Sequence, residues 1–281
     1  MQVSFVDIDG IRTRYLHEGS GEETLLLVHG YGISADGWAR VIDPFAERFA
    51  VYAPDILGHG FTDFADPGAR GAPLFMAHHL VRFMDAVGIG KCAIAGSSLG
   101  GVLAPLMYFE RPDQVTHLIL DGIHTPITDS GTLGAETVRA SMANGTKAMR
   151  NVTWQSCIDR MANICFDPAK SPKDIALLQV TIYAQEDRLS SYVAIGESII
   201  AHAEDDATRI DPAKIAVPTL FICGREDVRV PSDVVVANHK RIEGAELAIF
   251  DHCGHLPEIE HPQKFVDTVT AFLGPAAADG R

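Results

Sequence analysis

Short apolar runs alternate along the chain with longer stretches whose apolar positions repeat at helical spacing. The runs predict strands at 2–7, 11–17, 24–28, 49–53, 91–95, 117–120, 219–223 and 245–250. The stretches predict helices at 34–49, 73–87, 99–109, 231–241 and 262–273. Interior runs such as Leu25 to Val28 are apolar at every position, which is expected of parallel strands covered on both faces. The pattern predicts an α/β fold with an N-terminal hairpin and a doubly wound, mostly parallel eight-stranded sheet.

The alternation is interrupted between about residues 125 and 211. This segment contains polar, helix-compatible stretches at 135–144, 147–163, 172–183 and 186–202, and the strand pattern resumes after it. We therefore predict a core domain made of residues 1–124 and 212–281, with a helical lid (cap) at 125–211 inserted after the sixth strand. A second, independent helical domain is the alternative.

Composition limits the classes of partner. The 281 residues are 47% hydrophobic and carry a net charge of −14, which disfavours nucleic acid and anionic membranes as partners. The five cysteines are scattered without metal-ligand spacing, and the N-terminus lacks a signal-peptide pattern. We expect a cytoplasmic protein without metal or cofactor that acts on a small molecule; assembly into a homo-oligomer is left open.

The segment Gly96-Ser97-Ser98-Leu99-Gly100 joins an apolar run to a helix-compatible run. In a strand–turn–helix setting, Gly-x-Ser-x-Gly holds its serine on a tight turn with the hydroxyl exposed. Ser98 is therefore a candidate nucleophile. An ordinary turn between a strand and a helix is the alternative, because glycine and serine are common in turns.

A serine nucleophile needs a base and a carboxylate that orients the base. His255 follows the last predicted strand and is the candidate base, with His252 and His124 as competitors. Asp227 follows the strand at 219–223 and is the candidate acid. Asp121 is its rival, because that residue follows the predicted strand at 117–120 and so borders the same sheet edge.

An oxyanion hole requires backbone amides that approach the reacting carbonyl closely. The apolar run at 24–28 ends in His29-Gly30-Tyr31-Gly32, where two glycines permit such an approach. We expect the N–H groups of Tyr31 and Leu99 to be the two donors.

The chain resembles the α/β-hydrolase superfamily over nearly its full length, with serine, acid and histidine in that order. The resemblance is carried by His29-Gly30-Tyr31-Gly32, Pro54-Asp55-Ile56-Leu57-Gly58-His59-Gly60, Gly96-Ser97-Ser98-Leu99-Gly100-Gly101, Gly224-Arg225-Glu226-Asp227 and Cys253-Gly254-His255. It implies the α/β-hydrolase fold, a lid after the sixth strand, and catalysis by Ser98, Asp227 and His255. The haloalkane dehalogenase and epoxide hydrolase relatives use an aspartate nucleophile, so the serine argues against both.

Within the superfamily the chain is most similar in general appearance to the meta-cleavage product hydrolases, which hydrolyse a carbon–carbon bond in vinylogous diketo acids. Three positions depart from that subgroup. Ser97 replaces a typical asparagine before the nucleophile, and Leu256 replaces a typical tryptophan after the histidine. The arginine that binds the substrate carboxylate should fall near 179–183, where this chain has none; Arg188 is the nearest.

These departures favour a serine hydrolase that cleaves a carboxylic ester or lactone through an acyl-enzyme. Carbon–carbon bond hydrolysis of a diketo acid is the alternative, and a catalytically silent binding protein on the same fold is the second alternative. Besides the triad and the oxyanion donors, we expect Gly30, Ser97, Trp154 and Leu256 to contact substrate.

Overall fold

A single eight-stranded sheet organises the protein, whose computed structural model describes residues 1–123 and 132–275. The strand order is β1-β2-β4-β3-β5-β6-β7-β8, with β1 and β2 antiparallel and all strands from β3 onward parallel. The strands are β1 (Gln2–Ile8), β2 (Ile11–Glu18), β3 (Thr24–Val28), β4 (Ala50–Pro54), β5 (Cys92–Ser97), β6 (Val115–Asp121), β7 (Thr219–Gly224) and β8 (Glu246–Phe250). The predicted fold class is therefore confirmed.

Helices cover both faces of this sheet. Along β3, Leu25 and Leu27 pack into one apolar cluster and Leu26 and Val28 into another, because successive side chains of a strand point to opposite faces. The helices are α1 (Ala39–Ala46), α2 (Ala72–Val87), α3 (Leu99–Glu110), α4 (Thr132–Arg150), α5 (Trp154–Ala162), α6 (Lys173–Tyr183), α7 (Arg188–Ala201), α8 (Ser232–His239), α9 (Pro257–Glu260) and α10 (Pro262–Phe272).

The helices α4 to α7, called here the helical insertion, follow β6 and precede β7. Their apolar side chains form a third cluster, which also includes Leu256 and Ile259 of the core. The predicted boundary at 124/125 and the competitor His124 lie outside the described residues. The division into a core and a separate lid domain stays a prediction.

One predicted helix was wrong. The stretch 147–163 is not continuous, because α4 runs on to Arg150 and a new helix begins at Trp154. Thr153 caps this second helix: its side chain accepts a hydrogen bond from the Ser156 amide, and the Ser156 hydroxyl accepts one from the Thr153 amide. This reciprocal capping box starts a helix at a position that periodicity alone does not mark.

No helix in the described ranges 1–123 and 132–275 has both the length and the apolar character that a membrane span requires. Those same ranges contain no group of three or more His, Cys, Asp or Glu side chains arranged to hold a metal ion.

Two glycines allow β5, its turn and α3 to pack closely against β3. A Cβ at Gly96 would lie 2.2 Å from the carbonyl oxygen of Gly100, and one at Gly100 would lie 2.0 Å from that of Val28. Both neighbours are backbone atoms that cannot rotate away. Glycine is therefore a steric requirement at both positions.

We expect Gly100→Ala to lower the free energy of unfolding by about 3 kcal/mol, because the new methyl group overlaps the backbone of β3. Alanine has the higher helix propensity, so any loss arises from this overlap. Urea denaturation measures the change. Gly90→Ala is the matched control, since a Cβ there meets nothing within 4 Å, and it should stay within about 0.5 kcal/mol of the wild type. Equal stability of the two variants would contradict the steric account.

Candidate active site

Ser98 stands at the turn between β5 and α3. Its backbone has φ 53° and ψ −111°, a conformation that L-residues rarely adopt. The Ser98 amide donates to the carbonyl of Asp121 at 2.8 Å, which ties the turn to the end of the neighbouring strand β6. The side-chain hydroxyl lies 3.1 Å from Nε2 of His255. The tight turn therefore presents the hydroxyl to an imidazole.

His255 lies on the loop between β8 and α9 and is only 8% exposed. Its amide donates at 2.9 Å to the carbonyl of Ile164, which lies between α5 and α6. Its Nδ1 donates to Oδ2 of Asp227 at 2.8 Å, because a carboxylate can only accept. Burial lowers the pKa of His255, but the charge and hydrogen bond of Asp227 outweigh burial and raise it above the usual value.

Asp227 is held by backbone amides as well as by the imidazole. Its Oδ1 accepts hydrogen bonds from the amides of Arg229 at 2.7 Å and Val230 at 3.0 Å. Its side chain has no exposed surface. Both oxygens are therefore occupied, and one lone pair is aimed at Nδ1 of His255.

The structure does not bring Asp121 or His252, the two rivals among the described residues, into this chain of hydrogen bonds. Asp121 is fully buried beside Glu258, with neither side-chain oxygen bonded to His255. His252 is exposed, and its carbonyl accepts from the ring of His261 at 2.9 Å. Ser98, His255 and Asp227 are the residues that lie in line.

The expected oxyanion donors flank the Ser98 hydroxyl. Leu99 is the first residue of α3, so its N–H has no partner within the helix. Gly30 approaches Ser98 so closely that a Cβ there would lie 3.1 Å from Cβ of Ser98. Tyr31 follows directly on the same loop. The arrangement is compatible with a carbonyl oxygen held by the two amides, and their role stays a prediction.

Three tyrosines fasten this oxyanion loop (29–32) to the helical insertion. The rings of Tyr31 and Tyr192 stack with centroids 4.2 Å apart, and the Tyr31 hydroxyl donates to the Tyr192 carbonyl. The Tyr183 hydroxyl donates to the carbonyl of Gly32 at 2.6 Å. Helices α6 and α7 therefore support the loop that carries one candidate oxyanion donor.

Two chambers meet at Ser98 and Tyr31. The apolar chamber contains mainly side chains of α3, α4 and α7 and the loop after β7, among them Val102, Val138, Ile199 and Val230. The polar chamber contains His255, Ser141, Asn144, Arg160, Arg229 and Leu256. A substrate with one apolar and one charged end fits this division.

Two guanidinium groups face the polar chamber without a carboxylate partner in the described part of the chain. Arg160 is only 5% exposed, and its side chain bonds to the sulfur of Met161 and to Tyr192. Arg229 donates to the Ser141 hydroxyl at 3.2 Å. Burial and then the positive charge of Arg160 lower the pKa of Arg229. A buried cation, Arg160, beside a half-buried one, Arg229, creates a site that favours an anion.

Of the four predicted substrate contacts, two line the polar chamber and two lie outside both chambers. Gly30 and Leu256 line the polar chamber. Ser97 lies outside both chambers: it is fully buried, and its hydroxyl donates to Oε1 of Glu258 at 3.2 Å. Trp154 also lies outside both chambers. It is the first residue of α5, and it is 44% exposed.

Arg160 and Arg229 were missed by sequence reasoning, which looked for a cation only near 179–183. Arg229 could have been noticed, since it stands two residues after Asp227 on the same loop. Arg160 carries no such signal. Arg188, the nearest arginine to the expected place, instead donates to the Thr62 carbonyl at 3.5 Å and to Gln185 at 3.2 Å.

Comparison with known proteins agrees with this architecture. Residues 25–268 match the sequence profile of a family described as the alpha/beta hydrolase family. The chain is 31% identical over 273 residues to a 2-hydroxy-6-oxononadienedioate/2-hydroxy-6-oxononatrienedioate hydrolase of Paraburkholderia xenovorans, covering 94% of this chain and 91% of that one.

Two solved structures resemble this chain over nearly its full length. A serine hydrolase involved in carbazole degradation is 27% identical with a TM-score of 0.80, over 97% of this chain and 98% of that one. A thermophilic esterase from Thermogutta terrifontis is 21% identical with a TM-score of 0.75, over 97% of this chain and 98% of that one. At this lower identity the second likeness shows the fold alone.

We expect a fluorophosphonate probe to label Ser98, because a serine hydroxyl becomes nucleophilic when it is hydrogen-bonded to an imidazole that a carboxylate orients. Ser98→Ala should abolish labelling, and His255→Ala should slow it at least about 10³-fold. Mass spectrometry of the labelled peptide locates the probe. His252→Asn is the control, since asparagine tolerates the positive φ there, and it should label like the wild type. An unlabelled wild-type protein would favour a catalytically silent binding protein.

Proposed function

The chain belongs to the alpha/beta hydrolase family, and on this premise we propose that it hydrolyses a carbon–carbon bond in a small diketo acid. Ser98 is the nucleophile, His255 the base, Asp227 the acid that orients it, and the amides of Tyr31 and Leu99 the oxyanion donors. This choice reverses the order of the two reactions expected from the sequence alone. The reason lies in the polar chamber.

The observation that carries the proposal is the pair Arg160 and Arg229, which face the chamber that Ser98 and His255 also line. The absence of a cation near 179–183 was an argument against a carboxylate-bearing substrate. The two arginines supply that cation from other elements, α5 and the loop after β7. The relative from Paraburkholderia xenovorans is named for a dienedioate, which is a dicarboxylate, and this supports the same substrate class.

Catalysis begins when Ser98 attacks the carbonyl carbon next to the bond that breaks. Its proton passes to Nε2 of His255, 3.1 Å away, and the charge on the imidazolium is balanced by Asp227. The oxyanion receives hydrogen bonds from the two backbone amides. The carbon–carbon bond then breaks, and its electron pair is delocalised into the conjugated carbonyl system of the leaving fragment.

The leaving carbon takes up the proton that the His255 imidazolium holds, which returns His255 to its neutral form, and the first product departs. Ser98 is left as an acyl ester. Neutral His255 then removes a proton from water, which attacks the acyl carbon and releases the acid. The net reaction consumes one water molecule and needs no oxidant or metal. The carboxylate end of the substrate rests against Arg160 and Arg229, which holds the reacting carbonyl over Ser98.

Hydrolysis of a carboxylic ester or lactone is the second candidate. It requires the same nucleophile, base and oxyanion donors, without stabilisation of a carbon leaving group. Leu256 makes the wall beside His255 apolar, and the Ser97 hydroxyl is occupied by Glu258. Neither side chain therefore offers a polar contact to the conjugated system of a diketo acid, which favours the simpler reaction.

We expect Arg160→Met to lower kcat/KM for a carboxylate-bearing diketo acid by about 10- to 100-fold, because a charge-assisted hydrogen bond is lost. The loss should be much smaller with an uncharged p-nitrophenyl ester. Arg150→Met is the control, since Arg150 is exposed at the end of α4. Equal losses on the charged and uncharged substrates would show that Arg160 supports the structure and does not bind the carboxylate.

The choice between the two reactions rests on relative rates. We expect kcat/KM for a vinylogous diketo acid to exceed that for short p-nitrophenyl esters, because only the former uses the arginine pair. Ser98→Ala should reduce turnover of both substrates by about 10⁴-fold or more. Spectrophotometric assays of the wild type and this variant decide the point. A higher kcat/KM for the esters would assign ester hydrolysis instead.

A further inference from the structure

Two buried carboxyl groups lie next to the triad without a place in the reaction described above. Asp121 ends β6 and has no exposed surface, and Glu258 in α9 is only 1% exposed. The two groups are within hydrogen-bonding reach of each other. Two ionised carboxylates in such a place would repel each other strongly, so the arrangement depends on whether the pair holds a proton.

The hydrogen bonds around the pair indicate one shared proton. The Ser97 hydroxyl donates to Oε1 of Glu258 at 3.2 Å. Among the other described residues, none donates to Oε2 of Glu258 or to either side-chain oxygen of Asp121. Ionised carboxylates have no hydrogen to donate, so a bond between them exists only when one carries a proton. A fully ionised pair would leave three buried oxygens unsatisfied.

We propose that Asp121 and Glu258 share a single proton, and that the one negative charge they retain makes His255 a stronger base. They act through His255 and are positioning residues, not catalytic ones. The inference rests on the proposed role of His255 as the base of this site.

The groups that face the pair are compatible with this assignment. Burial raises the pKa of Asp121, and the neighbouring carboxyls of Glu258, Asp227 and Glu260 raise it further. Burial likewise raises the pKa of Glu258, and the hydrogen bonds of Asp121 and Ser97 and the charge of His255 act against that rise. Nearby thiols stay neutral because burial raises their pKa values, and they are Cys165, Cys223 and Cys253. No cation was found among the charges acting on Asp121 in the described residues.

The pair is coupled to the imidazole. Glu258 contributes a charge that raises the pKa of His255, in the same sense as Asp227, whereas Arg229 lowers it. Gly122, which follows Asp121, packs so closely that a Cβ there would lie 3.4 Å from Nδ1 and Cε1 of the His255 ring. Ser97 ties the pair to the turn of the nucleophile. A change of charge on the pair therefore acts on His255 at short range.

Amide substitutions separate the possible charge states. In Asp121→Asn or Glu258→Gln, the amide replaces the protonated carboxyl and leaves one carboxylate, so the charge of −1 is kept. The double variant Asp121→Asn/Glu258→Gln removes that charge. Neutral His255 is the active form, so the rate rises with pH through its pKa. We expect the acid limb to stay in place in both single variants and to move about 1 pH unit lower in the double variant.

The rate of fluorophosphonate labelling of Ser98 against pH measures this limb without a substrate, so failure of the proposed substrate assignment does not affect the test. A limb that moves in the single variants would mean that the pair is doubly ionised and would overturn the proposal. An unmoved limb in the double variant would overturn it too, because the pair would then carry no charge felt by His255. Glu243→Gln/Asp267→Asn, which removes two exposed carboxylates, is the matched control.

A second measurement covers the case in which the double variant does not fold. Infrared spectroscopy at neutral pH should show the C=O stretch of one protonated carboxyl group in the wild type. This band should be missing in both single variants, where the remaining carboxyl is ionised. A wild type without the band, or a band retained in either single variant, would contradict proton sharing.

Discussion

The close approach of three backbone segments at Gly96, Ser98 and Gly100 is the constraint on which the site depends. It holds Ser98 at φ 53° and leaves no room for a side chain between β5, α3 and β3. Such a conformation persists only when surrounding packing over-determines it. The buried sheet supplies that packing, and the same turn fixes where α3 begins, where the Leu99 amide points and how far the hydroxyl lies from His255. The chemistry of the site is therefore set by steric exclusion in the core.

Charges of opposite sign act on His255 from its two sides. Asp227 and Glu258 raise its pKa, and Arg229, which faces the polar chamber, lowers it. A substrate carboxylate bound to the arginines would offset the effect of Arg229. In the proposed reaction, binding of the correct substrate would thus strengthen the base at the moment it is needed, whereas an uncharged molecule would leave the imidazole less basic.

The sequence predicted the strands and the chemistry at their ends, because a buried parallel strand is continuously apolar and the loops after such strands border the site. Ser98, Asp227 and His255 could be proposed from that logic alone. Arg160 and Glu258 could not. Both are polar residues within helices, where the usual expectation is a solvated face, and only tertiary packing turns them inward. The break between α4 and α5 was not predicted for a related reason. The Thr153–Ser156 capping box that starts α5 is a local hydrogen-bond pattern without a hydrophobic signature.

Tyr31, Tyr183 and Tyr192 attach the oxyanion loop to the helical insertion. Any displacement of α6 and α7 wide enough to admit substrate would break these contacts and loosen the loop that carries one candidate oxyanion donor. Substrate entry and reaction would then be separate events, because the Tyr31 amide would be in place only while α6 and α7 hold the loop. A bound molecule that prevented Tyr31, Tyr183 and Tyr192 from remaking these contacts would not be attacked by Ser98. Closure would in this way discriminate against poor substrates.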